Sequence, residues 1–465
     1  MNSRRNRGDR LSSLPEPLLV LVISNLPFKE AVKTSVLAKR WKNLHRQTTN
    51  VSFKESDFVK RSVSNDEETK RDARVSFVRY MVNWVSKYSG AAIERFELCL
   101  SKPVGFETEI TSLIEFAVSK QVKNLVLDFS DPSSTTGNQA AVGASVFQLP
   151  ECAYSLATLE SLKLFACNFD PSRLVRPGSL KSLCFGWIQL GKIMALLSKT
   201  PLLESLSIQN CSNVGLEAIT EYNNRLRELI FENCSFATVH STLDLPNIQI
   251  FKYSGKVHYF QFMQVNRRME EAYLDFGAET EYGEETGTIL CGLLYDLLSA
   301  RKLTVCRFLI QMIKDSEDPV RLQAPMETRH LVIKTSMVPY EFIGIRLMIN
   351  SCPDLETLTF QMLPPIHAPT TNLGFCPKTY WTYVISHKCL KKTLKVVEVR
   401  NFTGGAYELQ ILKFLIRLGL VLERVDLYLP VGTLEAHKTL ARATVRKLCK
   451  SEASSNRLCI RLHDD

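Results

Sequence analysis

Thirteen cysteines and eight histidines are the residues of this 465-residue chain with the chemistry to ligate a metal or attack a carbonyl. Their spacing turns them away from both tasks. No two cysteines stand as C-x-x-C and the histidines are scattered singly, so no metal ligands are assigned and no cofactor is expected. An odd number of unpatterned cysteines fits free thiols in a reducing compartment better than a disulfide scaffold. The phosphate-cradling G-x-x-x-x-G-K-[ST] run, the H-E-x-x-H zinc helix and the G-x-S-x-G nucleophile elbow do not occur. No catalytic residue is assigned, and the chain reads as a binding protein, not an enzyme.

Three cysteines do stand in a pattern, and it is a structural one. Cys167, Cys211 and Cys234 each lie three residues past an apolar-x-x-apolar-x-apolar run, namely LESLKL (159–164), LESLSI (203–208) and LRELIF (226–231), with LKSLCF (180–185) as a further copy. The central residues Leu162, Leu183, Leu206, Leu229, Phe251 and Ala272 are 21, 23, 23, 22 and 21 residues apart, inside the leucine-rich-repeat period. Weaker copies centre on Phe96 and Leu125 before them, and on Leu303, Leu331, Leu358, Val397 and Val425 after. Each repeat supplies a strand and a returning segment that cannot bury its apolar face alone, so the copies must stack into an α/β solenoid. The three cysteines then fall in the turn after a strand, where a buried side chain bonds to backbone and no base is at hand to activate sulfur.

Composition narrows the partners. An apolar content of 45% supports a sizeable core and more than one domain. The net charge is +10, but residues 1–50 hold ten Lys/Arg against three Asp/Glu, so the remainder is almost balanced and no nucleic-acid face is expected. The cluster Arg4, Arg5, Arg7, Arg10 reads as a solvated terminus, with a weak nuclear-import signal as the alternative. The apolar run Leu18–Ile23 is far short of the ~20 residues of a membrane span, and MNSRRNRGDR lacks the apolar core of a signal peptide. An intracellular protein, nuclear or cytoplasmic and without a membrane partner, is the expectation.

The stretch Asp9–Phe53 has a different grammar. Ser13 with Glu16 forms a capping-box pattern and Pro15 suits a first turn, so a helix is expected from about Leu14, carrying Leu18, Leu19, Val22 and Ile23 and stopped at Leu26-Pro27. A second helix is expected over Lys29–Ser35, with Ala31 and Val32 inward, and a third over Val36–Gln47, with His45 as a helix-end or surface residue. Well below ~70 residues, such a module cannot stabilise itself well by its own core, so some of its Leu, Val and Ile should meet a partner. The runs LSSLPEPLLVLVISNLP and AVKTSVLAKRW resemble the F-box of plant F-box proteins in their two Leu-Pro pairs and the Ser-Val-Leu-x-Lys-Arg-Trp end. They depart at Pro17, where an acidic residue is usual, and at His45, where an aromatic is common.

The resemblance implies binding to a Skp-type adaptor, and through it to a cullin-based ubiquitin ligase. The residues it assigns to that contact are Leu14, Pro15, Leu18, Leu19, Ile23, Leu26, Pro27, Val32, Val36, Leu37, Arg40 and Trp41. Trp and Arg are residue types that carry interface energy, while apolar residues at helical spacing also serve as core, and the two roles can share residues.

The C-terminal part brackets a helix, Glu408–Leu418 with Leu409, Leu412, Leu415 and Ile416 apolar, between the runs LKVVEV and LERVDL. It resembles the FBD domain of plant F-box proteins at Tyr380-Trp381, Cys389-Leu390, LKVVEV, Glu408 and Leu422-Glu423, and departs at Ile385-Ser386-His387. Tyr380 and Trp381 are expected in the core. Three insertions read as loops: 61–74, before an amphipathic helix with Val78, Met81, Val82 and Val85 inward; 130–145, small and polar; and 277–287, carrying four glutamates.

The expected architecture is therefore α+β: a three-helix F-box at 9–53, an α/β leucine-rich-repeat solenoid at 54–370, and an FBD segment at 371–450 that continues or caps it. The expected function is recognition of a target protein, as yet unknown, for a Skp/cullin/F-box ubiquitin ligase. A scaffold or binding protein without ubiquitination, and a ligand-dependent receptor, are the alternatives.

Overall fold

The computed structural model describes residues 11, 13–58, 67–131, 147–175, 177–219, 225–264, 266, 268–277, 279, 285–313, 325–364, 373–383, 387–449 and 453–463. The chain forms two compact units, Met1–Leu216 with Ser235–Thr238, and Glu217–Cys234 with Val239–Asp465.

In the first unit, short helical turns lead into a parallel sheet of strands Asn50–Lys54, Arg95–Cys99, Asn124–Asp128, Ser161–Phe165, Ser182–Gly186 and Ser205–Gln209, paired in that order. Val51, Phe96, Leu125, Leu162, Leu183 and Leu206 are successive Cα partners, so the repeat centres read from the sequence form one row. Val51 was not among them, because the strand that carries it follows the helical module directly and has no preceding copy to set its period. The row is sealed: all six residues are at most 2% exposed. Helix Glu107–Ser119 buries Ile110, Leu113, Ile114 and Ala117, and its Phe116 ring lies 6.4 Å from that of Phe96 in the row.

Helix Glu67–Ser86 begins inside the stretch expected to be a loop over 61–74, of which 61–66 lie outside the described residues. Its inward stripe is Phe77, Val78, Met81 and Trp84, while Val82 is exposed and Val85 half-buried. Bulky aromatics two turns apart set the buried face, which is rotated from the one the valines suggested. Glu55 ties the helix down: its carboxylate pairs with Arg74 at 2.8 Å and accepts from both the backbone N–H and the hydroxyl of Ser101 at 2.7 Å.

The second unit repeats the grammar over strands Glu228–Glu232, Ile250–Ser254, Glu271–Asp275, Lys302–Val305, His330–Thr335, Thr357–Met362, Val396–Arg400, Arg424–Tyr428 and Cys459–His463, all parallel. Leu229, Phe251, Ala272, Leu303, Leu331, Leu358, Val397 and Val425 again face one another in register, and Ile460 extends the row by one strand that the sequence pattern did not reveal. The returning segments are helices Thr286–Asp296, Arg307–Met312, Phe342–Ser351 and Ala406–Leu418, and, earlier, a short sheet of Ala218–Ile219, His240–Leu243 and Tyr259–Phe262. Gly344 permits the closest helix approach, since a Cβ there would meet the Ile310 carbonyl oxygen at 1.8 Å.

Several strands end at a left-handed residue. Ala166, Trp187, Asn210, Asn233 and Asn401 have φ of 52°, 59°, 51°, 51° and 57°, each immediately after a strand. The cysteines of the pattern follow this turn: Cys211 Sγ and Cys234 Sγ each lie 3.4 Å from a strand-end carbonyl, of Gln209 and Glu232. Trp381 is 1% exposed within a ring cluster of Phe342, Tyr380 and Phe414, as its aromatic character suggested. In the same unit Glu408 holds the Gly404 turn, accepting from the backbone N–H groups of Thr403 and Gly404 at 3.0 and 3.1 Å. Residues 132–145 of the insertion at 130–145 and most of that at 277–287 lie outside the described residues, as do Ile385 and Ser386.

Candidate functional site

The first helix of the chain, Glu16–Ser24, starts with Pro15 as its N-cap at φ −54°, ψ 146°, and no side chain caps its first turn. The capping box expected from Ser13 and Glu16 is thus not made; Glu16 instead accepts from Gln47 Nε2 at 3.0 Å. Helical spacing then divides the aliphatics between two faces. Leu19 and Ile23 are fully buried with Ala31, Trp41 and Leu44, while Leu18, Leu21 and Val22 stand 46%, 59% and 40% exposed.

A second helix, Phe28–Lys33, follows, but the single helix expected over Val36–Gln47 is replaced by three 3₁₀ turns, Thr34–Val36, Lys39–Trp41 and Leu44–Gln47. Ala38 is the break: at φ −160°, ψ 162° it is extended and cannot continue a helix. The break leaves Val36 and Leu37 in solvent, 84% and 67% exposed. Arg40 Nη2 donates to the Leu14 carbonyl at 2.7 Å and fixes the two segments together.

Of the twelve residues assigned to an adaptor contact, Pro15, Leu18, Pro27, Val36, Leu37 and Arg40 are exposed, and Leu14, Leu26 and Val32 are half-buried. Leu19, Ile23 and Trp41 form the module's own core. The exposed Leu21 was not singled out in the sequence, although its i+3 relation to Leu18 was a usable signal. His45 is not a surface residue: it is 7% exposed beside the Trp84 ring, and burial together with Arg46 holds its pKa below the usual 6.5.

The outer face of the second unit's strands is polar. Alternation along each strand buries residues such as Phe251 and Tyr253 and turns Lys252 outward. Together these outward residues line a cavity of about 390 Å³ that includes Lys252, Tyr273, Lys302, His330, Lys334 and Arg400. Sequence reading did not find this cluster, because its members are neighbours only once strands of unequal spacing are in register.

A pair with catalytic spacing is structural. Ser241 Oγ lies 2.9 Å from His258 Nε2, but Ser241 is fully buried, and burial with His240 nearby brings His258 down to about 4, too weak a base to activate a hydroxyl at neutral pH. Burial likewise pushes the thiols of Cys167 and Cys352 up to about 12, which keeps them protonated. Among the described residues no group of three or more His, Cys, Asp or Glu side chains is placed to hold a metal ion, and no helix is long and apolar enough to cross a membrane.

Parallel strands repeated in register within each unit, each followed by a returning segment, define the leucine-rich-repeat class of fold. Three family models match the chain. Residues 11–44 match the F-box domain, residues 85–406 the leucine-rich-repeat domain described as At1g61320/AtMIF1, and residues 386–427 the FBD. The relatives are plant proteins. F-box protein At3g62230 of Arabidopsis thaliana is 49% identical over 97% of this chain and 98% of its own, and putative F-box/LRR-repeat protein At5g54820 of the same plant is 44% identical over 98% of each. The chain belongs to the plant F-box/leucine-rich-repeat family with a C-terminal FBD, a family of adaptors.

Proposed function

We propose that the chain is a substrate-recognition subunit of a Skp/cullin/F-box ubiquitin ligase, acting inside the cell in the nucleus or cytoplasm. The observation that carries this reading is the set of exposed aliphatics Leu18, Leu21, Val22, Val36 and Leu37 on the segment that matches the F-box. A monomeric soluble surface rarely keeps such side chains grouped on one small module without a partner. Pro15, Pro27 and Arg40 are exposed on the same module, while Leu14, Leu26 and Val32 reach the surface in part and Leu19, Ile23 and Trp41 form its core.

In this role the chain does no bond chemistry. The F-box docks a Skp-type adaptor and thereby a cullin, and the repeats hold a target protein so that its lysines meet the ubiquitin-loaded enzyme, which is catalysis by proximity. The test is a pull-down of a Skp-type adaptor by the intact chain and by Leu18→Asp/Leu37→Asp, with circular dichroism on both. Binding by the intact chain, lost in a folded variant, supports the reading. Failure of the intact chain to bind overturns it, and adaptor binding with no target stabilised when the protein is removed makes it a scaffold.

A further inference from the structure

The outer strand face of the second unit carries a charge arrangement that simple solvation does not require. Lys252, Lys302, Lys334 and Arg400 all line the same cavity, and each has a carboxylate beside it: Glu271 bridges Lys252 and Lys302 at 3.2 and 3.0 Å, Asp275 pairs with Lys334 at 2.7 Å, and Glu398 with Arg400 at 3.5 Å. The acids lie deeper than most of the bases. The side chains of Glu271 and Glu398 are 22% and 18% exposed, against 43% for Lys302 and 60% for Arg400. The order reverses at Lys334, whose side chain is 16% exposed against 24% for Asp275, so the outward cationic layer is Lys252, Lys302 and Arg400.

His330 sits within this layer with Nε2 3.0 Å from Thr359 Oγ1; burial, then the neighbouring Lys302, holds its pKa below 6.5 and leaves it neutral at pH 7. The aromatic surface comes from Tyr273, whose ring lies 4.6 Å beneath Lys334 Nζ. Glu232 lines the cavity on the Lys252 side and supplies an acid near that end.

The dimensions select the guest. From the strand of Lys252 to that of Arg400 there are five inter-strand steps, about 24 Å at ~4.8 Å each. That is the length of about seven extended residues at ~3.3 Å apiece, and far more than one phosphate occupies. Ion pairs this exposed are weak, so Lys302 and Arg400 can share their charge with incoming carboxylates at little cost.

We infer that this groove is the target-reading surface of the chain and that it takes an extended, acidic peptide segment of the target protein, crossing the strands with its carboxylates over Lys302 and Arg400. The inference rests on the recognition role proposed above and names the chemistry of what is recognised.

The test is selection from a displayed random heptapeptide library on the full-length chain and on Lys302→Glu/Arg400→Glu, followed by fluorescence anisotropy of the selected peptides and their Asp→Asn, Glu→Gln counterparts. The expected result is enrichment of Asp and Glu on the intact chain, at least tenfold weaker binding by the amide counterparts, and loss of binding in the charge-reversed variant. Peptides without acidic enrichment, or peptides that bind the variant equally well, overturn the inference, as does full displacement by millimolar inorganic phosphate, which would mark a small-anion site. The variant should still pull down the Skp-type adaptor. Acidic selection without adaptor binding by the intact chain would sink the ligase role and leave the groove standing, while adaptor binding without acidic selection would do the reverse.

Discussion

The docking module and the repeat strands draw on the same aliphatic residues and send them in opposite directions. In the module, Leu18, Leu21, Val36 and Leu37 stand in solvent above a small core, whereas in the strands Leu303, Leu331 and Leu358 are fully buried and the charges are outside. Two periodicities produce the contrast. A helix of nine residues wraps its aliphatics round more than one face, and the break at Ala38 exposes more; a strand that alternates every second residue, repeated in register, can hide every apolar side chain. The lesson is that leucine content locates neither a core nor an interface until the local period is known.

The contrast is tested most severely by removing buried side chains from each region. Leu358→Ala should cost about 2–5 kcal/mol, and Trp41→Ala about 3–5 kcal/mol, because both leave cavities that rigid neighbours cannot fill. Urea unfolding followed by circular dichroism reads the first. The second should appear as local loss of protection in hydrogen exchange over residues 16–47, since the module's core is small. A Trp41→Ala protein with an intact module would mean that Trp41 acts at the surface after all.

Exposed aliphatics should behave in the opposite way. Leu18→Asp/Leu37→Asp should change unfolding stability by no more than about 0.5 kcal/mol, as surface substitutions do. It should weaken adaptor binding by about 30-fold or more, the effect of losing one interface hot spot of ~2 kcal/mol. Titration calorimetry with the adaptor measures this. If stability falls and affinity does not, the two faces of the first helix have been misassigned.

Backbone turns give a smaller handle. Asn210→Val places a β-branched residue at φ 51°, where left-handed backbone costs an L-residue about 1–2 kcal/mol, while Asn210→Gly should be tolerated. A melting comparison of the two variants isolates the turn from the row of leucines beside it. Equal melting temperatures would argue that the turn relaxes.

The strands were legible because their signal is long and redundant. Five repeat centres from Phe96 to Leu206, and eight from Leu229 to Val425, fall into register within their own units from one recurring pattern. Val51 and Ile460 escaped it as terminal members, whose neighbours follow another grammar on one side. Local chemistry was less legible: Pro15 displaced the expected capping box, Ala38 split an apparent helix, and His45 was drawn inside by Trp84 on an element 39 residues away. The polar groove was not legible at all. Lys334 and Asp275 are separated by 59 residues, and only the pairing of strands makes them partners.

A pH-dependent effect comes from a buried base that neither surface uses. His258 has its pKa brought down from 6.5 to about 4 by burial, with His240 nearby, and its Nε2 is bonded to Ser241 Oγ. Below pH 6.5 the unfolded chain therefore takes up a proton that the folded chain refuses. Its contribution to stability is complete above pH 6.5 and is lost progressively as the pH falls towards 4. His258→Gln keeps a polar partner for Ser241 without a titrating group, so its urea midpoint should fall less steeply than that of the intact chain between pH 6.5 and 4. An identical slope in both would show that the folded protein opens enough to let the proton in, and that this side of the repeat is less firmly closed than the leucine row beside it.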